Sequence, residues 1–133
     1  MAETLHLAGG LREVMVAHCL DALPNEGCGL FAIDGHRVVE IYPTANADRS
    51  PRSFTVPPEE HYAALADATR GGWSLGGSFH SHPGGRAEPS GHDLAGALDP
   101  EWVYLVVGLR GEPEVRAWRI RRLLEEEVML ASP

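Results

Sequence analysis

Apolar positions recur along the chain with helical spacing in three places. From Gly10 to Leu23, apolar or small residues follow the i, i+3, i+4 spacing of an amphipathic helix, which Pro24 ends. A second helix is predicted from Pro57 to Arg70, because prolines and acidic residues at its start suit a helix N-terminus. A third, short helix is predicted from Ser90 to Leu98. These three segments account for the helical part of the prediction.

Short apolar runs between turn-forming residues predict the strands. Asp34-Gly35 between two such runs indicates a hairpin with a type I′ turn, in which both central residues need a positive φ. The segment 121–133 is ambiguous between a helix and an edge strand. The polar stretch TANADRSPRS is predicted to be a surface loop. The predicted strands are GCGLFAI (27–33), HRVVEIY (36–42), FTV (54–56), WSLGGSFHSH (73–82), Trp102–Leu109 and Glu114–Ile120.

The order of these elements predicts an α/β domain with a mixed sheet and helices packed against it. With 133 residues the chain suits one hydrophobic core, so we expect residues 1–133 to form a single domain. No apolar run approaches the roughly 20 residues of a membrane-spanning helix, and the N-terminal segment lacks the pattern of a secretory signal. We therefore expect a cytoplasmic protein without a membrane partner.

Charge and cysteine content narrow the function classes. A net charge of −8 disfavours a general nucleic-acid binder, because neutralising phosphates requires a cationic face. Two cysteines, Cys19 and Cys28, are too few for a disulfide framework and form no CxxC pair. We expect both to be small buried residues.

The segment SFHSHPGGRAEPSGHD (78–93) contains the candidate chemistry. Side chains alternate along a strand, so His80 and His82 project from the same face and can reach one ion. If the intervening loop folds back, Asp93 in the first turn of the third helix can join them. Two imidazoles and one carboxylate make a three-ligand zinc set that leaves a fourth position for water, which favours a catalytic site over a structural one.

The same residues also have a structural interpretation. Ser90 and Asp93 have the spacing of a capping box variant, and an HxH pair occurs by chance in many strands. The two interpretations of Ser90 are compatible, because capping can orient a helix whose aspartate binds zinc. His92 is more typical of a surface position and is left out of the ligand set.

A zinc-bound water also needs a general base, and a glutamate outside the ligand set is a frequent choice. Glu26 lies between the first helix and the hairpin, where Gly27 and Gly29 allow a close approach of other backbone. From the residues alone it is one of several acids. Glu88 is nearer to the histidines in sequence, but we expect it to be solvated.

Taken together, these motifs resemble the JAMM (MPN+) metalloprotease signature. The match consists of His80-Ser81-His82-Pro83, then Ser90 after six residues and Asp93 after two more, with Glu26 upstream of CGLF. The segment TANADRSPRSFTVPPEEH is similar to small stand-alone bacterial members, and the resemblance covers nearly the whole chain. It implies a cytidine-deaminase-like JAMM fold, in which helices flank a curved mixed sheet.

The resemblance also implies roles for the residues. His80, His82 and Asp93 would bind one zinc ion, Glu26 would be the general base and acid, and Ser90 would stabilise the oxyanion. The expected substrate is a ubiquitin-like or sulfur-carrier protein ending in Gly-Gly, cleaved after the second glycine by isopeptidase or C-terminal processing activity. The carrier, the released group and the oligomeric state stay open, with a homodimer among the alternatives.

Two other functions remain possible from the sequence. A RadC-like protein linked to DNA shares a similar HxHP run, but Ser81 stands where such proteins tend to have asparagine, and the 79 residues before His80 leave no room for their upstream module. A non-catalytic MPN-type binding module is disfavoured by the complete metal set. The leading prediction is therefore a zinc peptidase.

Overall fold

The computed structural model describes residues 3–133. Within them the elements follow one another as β1 (Thr4–His6), α1 (Gly9–Ala22), β2 (Cys28–Asp34), β3 (Arg37–Thr44), α2 (Pro58–Arg70), β4 (Ser74–His82), α3 (Gly91–Gly96), β5 (Val103–Gly108), β6 (Glu114–Arg121) and β7 (Leu124–Ala131). The three predicted helices are present, with α1 and α2 beginning and ending within one residue of the prediction. The order of elements matches the predicted α/β class.

The strands form one mixed sheet that closes on itself. Their spatial order is β1-β3-β2-β4-β5-β6-β7, and β1 pairs in parallel with both β3 and β7. Strand β4 lies in the middle, antiparallel to β2 and parallel to β5. The β4–β5 pairing requires Gly77, because a Cβ there would lie 1.8 Å from the Val103 carbonyl oxygen. The predicted curved mixed sheet is thus present, with a curvature large enough to reach closure.

Two layers of side chains result from the alternation along β4. Phe79 faces the hydrophobic core, where it joins Met15, Val16 and Cys19 of α1 and apolar residues of the neighbouring strands. Cys19 and Cys28 are free and buried, as predicted. Ser78, His80 and His82 alternate with the core-facing residues and project from the opposite face. Helix α2 packs against β2 and β4, and its Ala64 and Ala68 are buried.

The structure corrects three local predictions. Residues 54–56 form no strand, because Thr55 bonds to Asn46 and Ala47 within its own loop and not to a neighbouring strand. The first hairpin turns at Gly35 and His36, with a positive φ at Gly35 alone of these two, as in a type II′ turn and not the predicted type I′ turn. Strand β1 was missed because three residues are too few to show a period.

The ambiguous tail is resolved as strand β7. It pairs with β6 along its first half and with β1 towards its end. Its run of exposed glutamates faces solvent while Val128 is buried in the core. The tail is therefore a strand because β1 and β6 supply its partners, which the local sequence does not reveal.

Candidate active site

Strand β4 presents two histidines at its C-terminal end. His80 and His82 share one face, with His80 almost completely buried and His82 partly so. The Nδ1 atom of His82 donates a hydrogen bond to the carbonyl oxygen of Arg86 at 3.0 Å. This bond fixes the ring orientation and leaves the Nε2 lone pair of a neutral His82 free to bind a ligand.

The loop between the histidines and Asp93 is attached to the sheet. Gly85 donates its N–H to the His82 carbonyl oxygen, and the N–H of Arg110 donates to Gly85. At the middle of the loop, the indole N–H of Trp118 donates to the Ala87 carbonyl oxygen at 2.9 Å, and both residues are buried. The loop thus returns to a fixed point beside the histidines, and α3 starts there.

Helix α3 begins with the capping box that the sequence predicts. Ser90 Oγ accepts the Asp93 N–H at 3.1 Å, and Asp93 Oδ2 accepts the Ser90 N–H at 2.9 Å. The side chain of Asp93 is consequently held with Oδ2 towards the strand. The cap and the site geometry use the same carboxylate.

Three potential ligand atoms converge at this point. Asp93 Oδ2 lies 3.0 Å from His80 Nε2 and 2.9 Å from His82 Nε2, and the two nitrogens are 3.2 Å apart. A tetrahedral zinc site with ligand distances near 2.0–2.1 Å has ligand atoms about 3.3 Å from one another. The three residues could therefore hold a metal ion with only a small outward movement.

The protonation of the cluster follows from burial and mutual contacts. Burial raises the pKa of Asp93, but its contacts with His80 and His82 outweigh this effect and bring the pKa below its usual range. Burial lowers the pKa of His80 below its usual value, against the effect of Asp93. Burial also lowers the pKa of His82, but its hydrogen bonds to Asp93 and to the Arg86 backbone outweigh this effect and raise the pKa above its usual value. A divalent metal requires an ionised carboxylate and neutral imidazoles, so metal binding would displace a proton from His82 when that residue is protonated.

Glu26 is buried on the short segment between α1 and β2. Its side chain is 3% exposed, and Oε1 has no hydrogen-bond partner among the described residues. Burial raises the pKa of Glu26 to about 7; His82 opposes the rise and Asp93 adds to it. A carboxyl group with such a pKa can take up and release a proton near neutral pH.

The remaining candidates, Glu88 and His92, are outside the converging set, although His92 lines the same cavity as His80 and Asp93. Glu88 is exposed and pairs with Arg116 at 3.0 Å on the outer side of the loop. His92 is exposed on α3, as the sequence predicts. Neither residue belongs to the converging set, whereas the charges of His82 and Asp93 both act on the pKa of Glu26.

One aromatic contact was not anticipated from the sequence. The Phe54 ring stacks on the His80 imidazole, with ring centroids 4.6 Å apart and an interplanar angle of 16°. The predicted FTV run was the only signal, and it was interpreted as a strand. In the structure the run forms one wall of the site.

A cavity of about 620 Å³ continues from His80 and Asp93 along the sheet. Its floor includes Leu30 and Val106, and its rim includes Phe54 and Trp102. The His61 and Trp102 rings approach to 5.8 Å, which joins α2 to the chain before β5 at the rim. The cavity is mostly apolar, and its position allows a ligand that fills it to reach the His80, His82 and Asp93 cluster.

Comparison with known proteins identifies the family. Residues 9–121 match the family described as prokaryotic homologs of the JAB domain, and the chain belongs to that family. It is 38% identical to a probable TtuB-protein conjugate cleaving protease of Thermus thermophilus, over 80% of this chain and 72% of that one. It is 31% identical to a CysO-cysteine peptidase of Mycobacterium tuberculosis, over 87% of this chain and 82% of that one.

Structural comparison agrees with the family assignment. A JAB1/MPN domain protein from Archaeoglobus fulgidus superposes with a TM-score of 0.59 at 18% identity, covering 98% of this chain and all of the other. The predicted JAMM fold is thereby confirmed, as are the predicted family and the predicted class of enzyme, a peptidase. Between residues 3 and 133, none of the helices is long and apolar enough to cross a membrane.

Proposed function

We propose that this protein is a zinc-dependent peptidase that hydrolyses the bond after the C-terminal Gly-Gly of a ubiquitin-like or sulfur-carrier protein. The observation that supports it best is the convergence of the His80, His82 and Asp93 ligand atoms, together with a buried Glu26 whose Oε1 atom has no hydrogen-bond partner among residues 3–133. Relatives named as a conjugate-cleaving protease and a CysO-cysteine peptidase support the choice of substrate class.

His80 and His82 through Nε2, and Asp93 through Oδ2, would hold the zinc ion. A zinc ion in this position supplies a Lewis acid for the scissile carbonyl group and makes water a better nucleophile near neutral pH. The three residues would direct the lone pairs of their ligand atoms at one common point. His82 achieves this through its bond to the Arg86 carbonyl oxygen, and Asp93 through the cap of α3.

Glu26 would act as the general base and then as the general acid. With a pKa near 7, its carboxylate accepts a proton from the attacking water and returns it to the leaving amine. The Oε1 atom, which has no hydrogen-bond partner within residues 3–133, is free to make both transfers.

Ser90 would stabilise the oxyanion. Its Oγ already accepts the Asp93 N–H, so the hydroxyl proton is available to a developing negative charge. One such donor is worth about 3 kcal/mol in the transition state. The capping bond also restricts the rotation of the hydroxyl group.

The cavity beside the cluster suits an extended C-terminal tail. Two glycines can pass between the Phe54 wall and α3 without side-chain clashes, and the apolar floor can accept the residues before them. The globular body of the carrier would remain outside the cavity and supply most of the specificity. The net charge of −8 favours a neutral or basic carrier surface.

The direct test uses mass spectrometry on carriers from the same genome, each extended beyond its Gly-Gly by a cysteine or by a lysine-linked peptide. We expect cleavage after the second glycine and one zinc ion per chain in metal analysis. Alanine at His80, His82 or Asp93 should abolish zinc binding. Full zinc retention in all three variants would disprove the metal site, whereas equal cleavage of unfolded peptides would disprove only the recognition of a folded carrier.

A further inference from the structure

The side-chain amide of Asn46 uses its full hydrogen-bonding capacity within the protein. Its Nδ2 group donates to the carbonyl oxygens of Glu26 at 3.1 Å and Ser53 at 3.0 Å. Its Oδ1 atom accepts the N–H groups of Asp48 at 3.0 Å and Thr55 at 3.2 Å. An asparagine amide offers two donors and two acceptor positions, so all four are used. Asn46 therefore joins its own turn to two other backbone segments, at Glu26 and at residues 53–55.

One of these segments carries Glu26. The backbone N–H of Glu26 donates to the Ser50 carbonyl oxygen at 2.8 Å. The next residue, Gly27, donates its N–H to Ser81 Oγ of β4, and its carbonyl oxygen accepts the Ser81 N–H. Helix α1 packs closely against the same segment, because a Cβ at Gly27 would lie only 2.7 Å from Cys19 Cα. The hydrogen bond from Asn46 to the Glu26 carbonyl oxygen adds a contact from the loop to those from α1 and β4.

The second segment carries the aromatic wall of the site. Asn46 bonds to Ser53 and Thr55, the residues on either side of Phe54, and the Ala47 N–H donates to the Thr55 carbonyl oxygen at 2.9 Å. These bonds fix residues 53–55 even though they belong to no strand. Phe54 is thereby held against the His80 ring.

We propose that Asn46 is a positioning residue that holds the general base and the Phe54 wall of the substrate cavity in a fixed relation to each other. The proposal rests on the proposed function, which gives Glu26 its role. None of the four hydrogen bonds of Asn46 goes to His80 or His82, so its action on the reaction passes through the two segments. Its loss should affect both proton transfer by Glu26 and substrate binding along Phe54, while zinc binding persists.

The test compares Asn46→Asp, Asn46→Ala and a matched control, Arg52→Ala. Aspartate keeps the acceptor for the Asp48 and Thr55 N–H groups but cannot donate to the Glu26 and Ser53 carbonyl oxygens. Alanine removes all four bonds. Arg52→Ala shortens an exposed side chain in the same loop and leaves the four Asn46 bonds intact.

We expect Asn46→Asp and Asn46→Ala to lower kcat at least 10-fold and to raise KM several-fold on a Gly-Gly-extended carrier, with one zinc ion retained per chain. Amide hydrogen exchange should accelerate both in peptides spanning residues 25–28 and in those spanning 50–56. Arg52→Ala should leave kcat and KM within two-fold and leave exchange in residues 25–28 unchanged.

Three outcomes would overturn the proposal. The first is a kcat within two-fold of the parent in both Asn46 variants, and the second is faster exchange in residues 50–56 without any change in residues 25–28. The third is loss of the folded state in both variants, which would make Asn46 a structural residue. If the parent cleaves no Gly-Gly carrier, the proposed function fails, but the exchange measurements still decide whether Asn46 couples the two segments.

Discussion

Ser90 and Asp93 each accept the other's backbone N–H, at 3.1 Å and 2.9 Å, and the same Asp93 Oδ2 atom lies 2.9 Å from His82 Nε2. The helix cap and the proposed metal site therefore share one carboxylate oxygen. A change at Ser90 acts on the site in two ways, through the orientation of Asp93 and through the hydroxyl group itself.

Substitutions at Ser90 can separate these two effects. Ser90→Ala should lower kcat about 10²–10³-fold and weaken zinc binding, because it removes both the oxyanion donor and the helix cap. Ser90→Gly keeps a residue that is tolerated at a helix N-cap but has no side-chain donor, so we expect zinc affinity near that of the parent with kcat still low. Chelator competition and steady-state kinetics measure the two quantities. Parental kcat in Ser90→Gly would exclude a role for the Ser90 hydroxyl group.

Glu26→Gln should retain the fold and the zinc ion but lower kcat by about 10²–10⁴-fold, because the amide cannot accept a proton. The matched control is Glu88→Gln, which changes an acid paired with Arg116 on the loop surface and should stay within a few-fold of the parent. Kinetics on the same extended carrier, with zinc content measured in parallel, tests both variants. A normal rate for Glu26→Gln together with a low rate for Glu88→Gln would reverse the two assignments.

Burial of Glu26 also predicts a pH-dependent cost in stability. Its pKa rises from 4.5 to about 7 in the folded protein, so the folded state binds this proton more tightly than the unfolded state. The free energy of unfolding therefore has its full value, as far as Glu26 is concerned, below pH 4.5, and this contribution is lost as the pH rises through about 7.

Glu26→Gln should therefore stabilise the metal-free protein at pH 8 by about 1–2 kcal/mol, with little difference at pH 5. Urea denaturation of the metal-free parent and variant at both pH values provides the measurement. An equal or lower stability of the variant at pH 8 would show that the ionised carboxylate is not destabilising in this position.

Gly77 should be indispensable for the central sheet pairing. A Cβ there would lie 1.8 Å from the Val103 carbonyl oxygen, so Gly77→Ala must separate β4 from β5. We expect a loss of more than about 4 kcal/mol in unfolding free energy, or failure to fold. Gly111→Ala is the control, because a Cβ at Gly111 meets nothing within 4 Å. Comparable stability of the two variants would contradict the pairing.

Trp118 should support metal binding from a distance. Trp118→Phe removes the indole donor to the Ala87 carbonyl oxygen and so loosens the loop that joins His82 to Asp93. We expect zinc affinity to fall about 10-fold, a size typical of changes outside the ligand set. Trp73→Phe, a change in the segment between α2 and β4, should leave the affinity unchanged. Isothermal titration of the metal-free proteins with zinc measures the effect. Equal zinc affinities of Trp118→Phe and the parent would show that the Trp118–Ala87 hydrogen bond does not support metal binding.

Local features of the sequence determined much of the fold and the set of candidate residues. The i, i+2 spacing placed His80 and His82 on one face, the Ser90–Asp93 spacing produced the capping box, and helical periodicity located α1 and α2. Each of these depends on residues within one or two turns of helix or a few strand positions. Short-range geometry is sufficient to predict them.

Tertiary structure decided the closure of the sheet and the environment of the site. β7 is a strand because β1 and β6 pair with it, and Phe54 is a wall residue because Asn46 binds the backbone on both sides of it. Glu26 acquires its raised pKa from burial between segments that are distant in the sequence. Hydrogen bonding and desolvation between distant segments depend on packing, and no local pattern of residues specifies them.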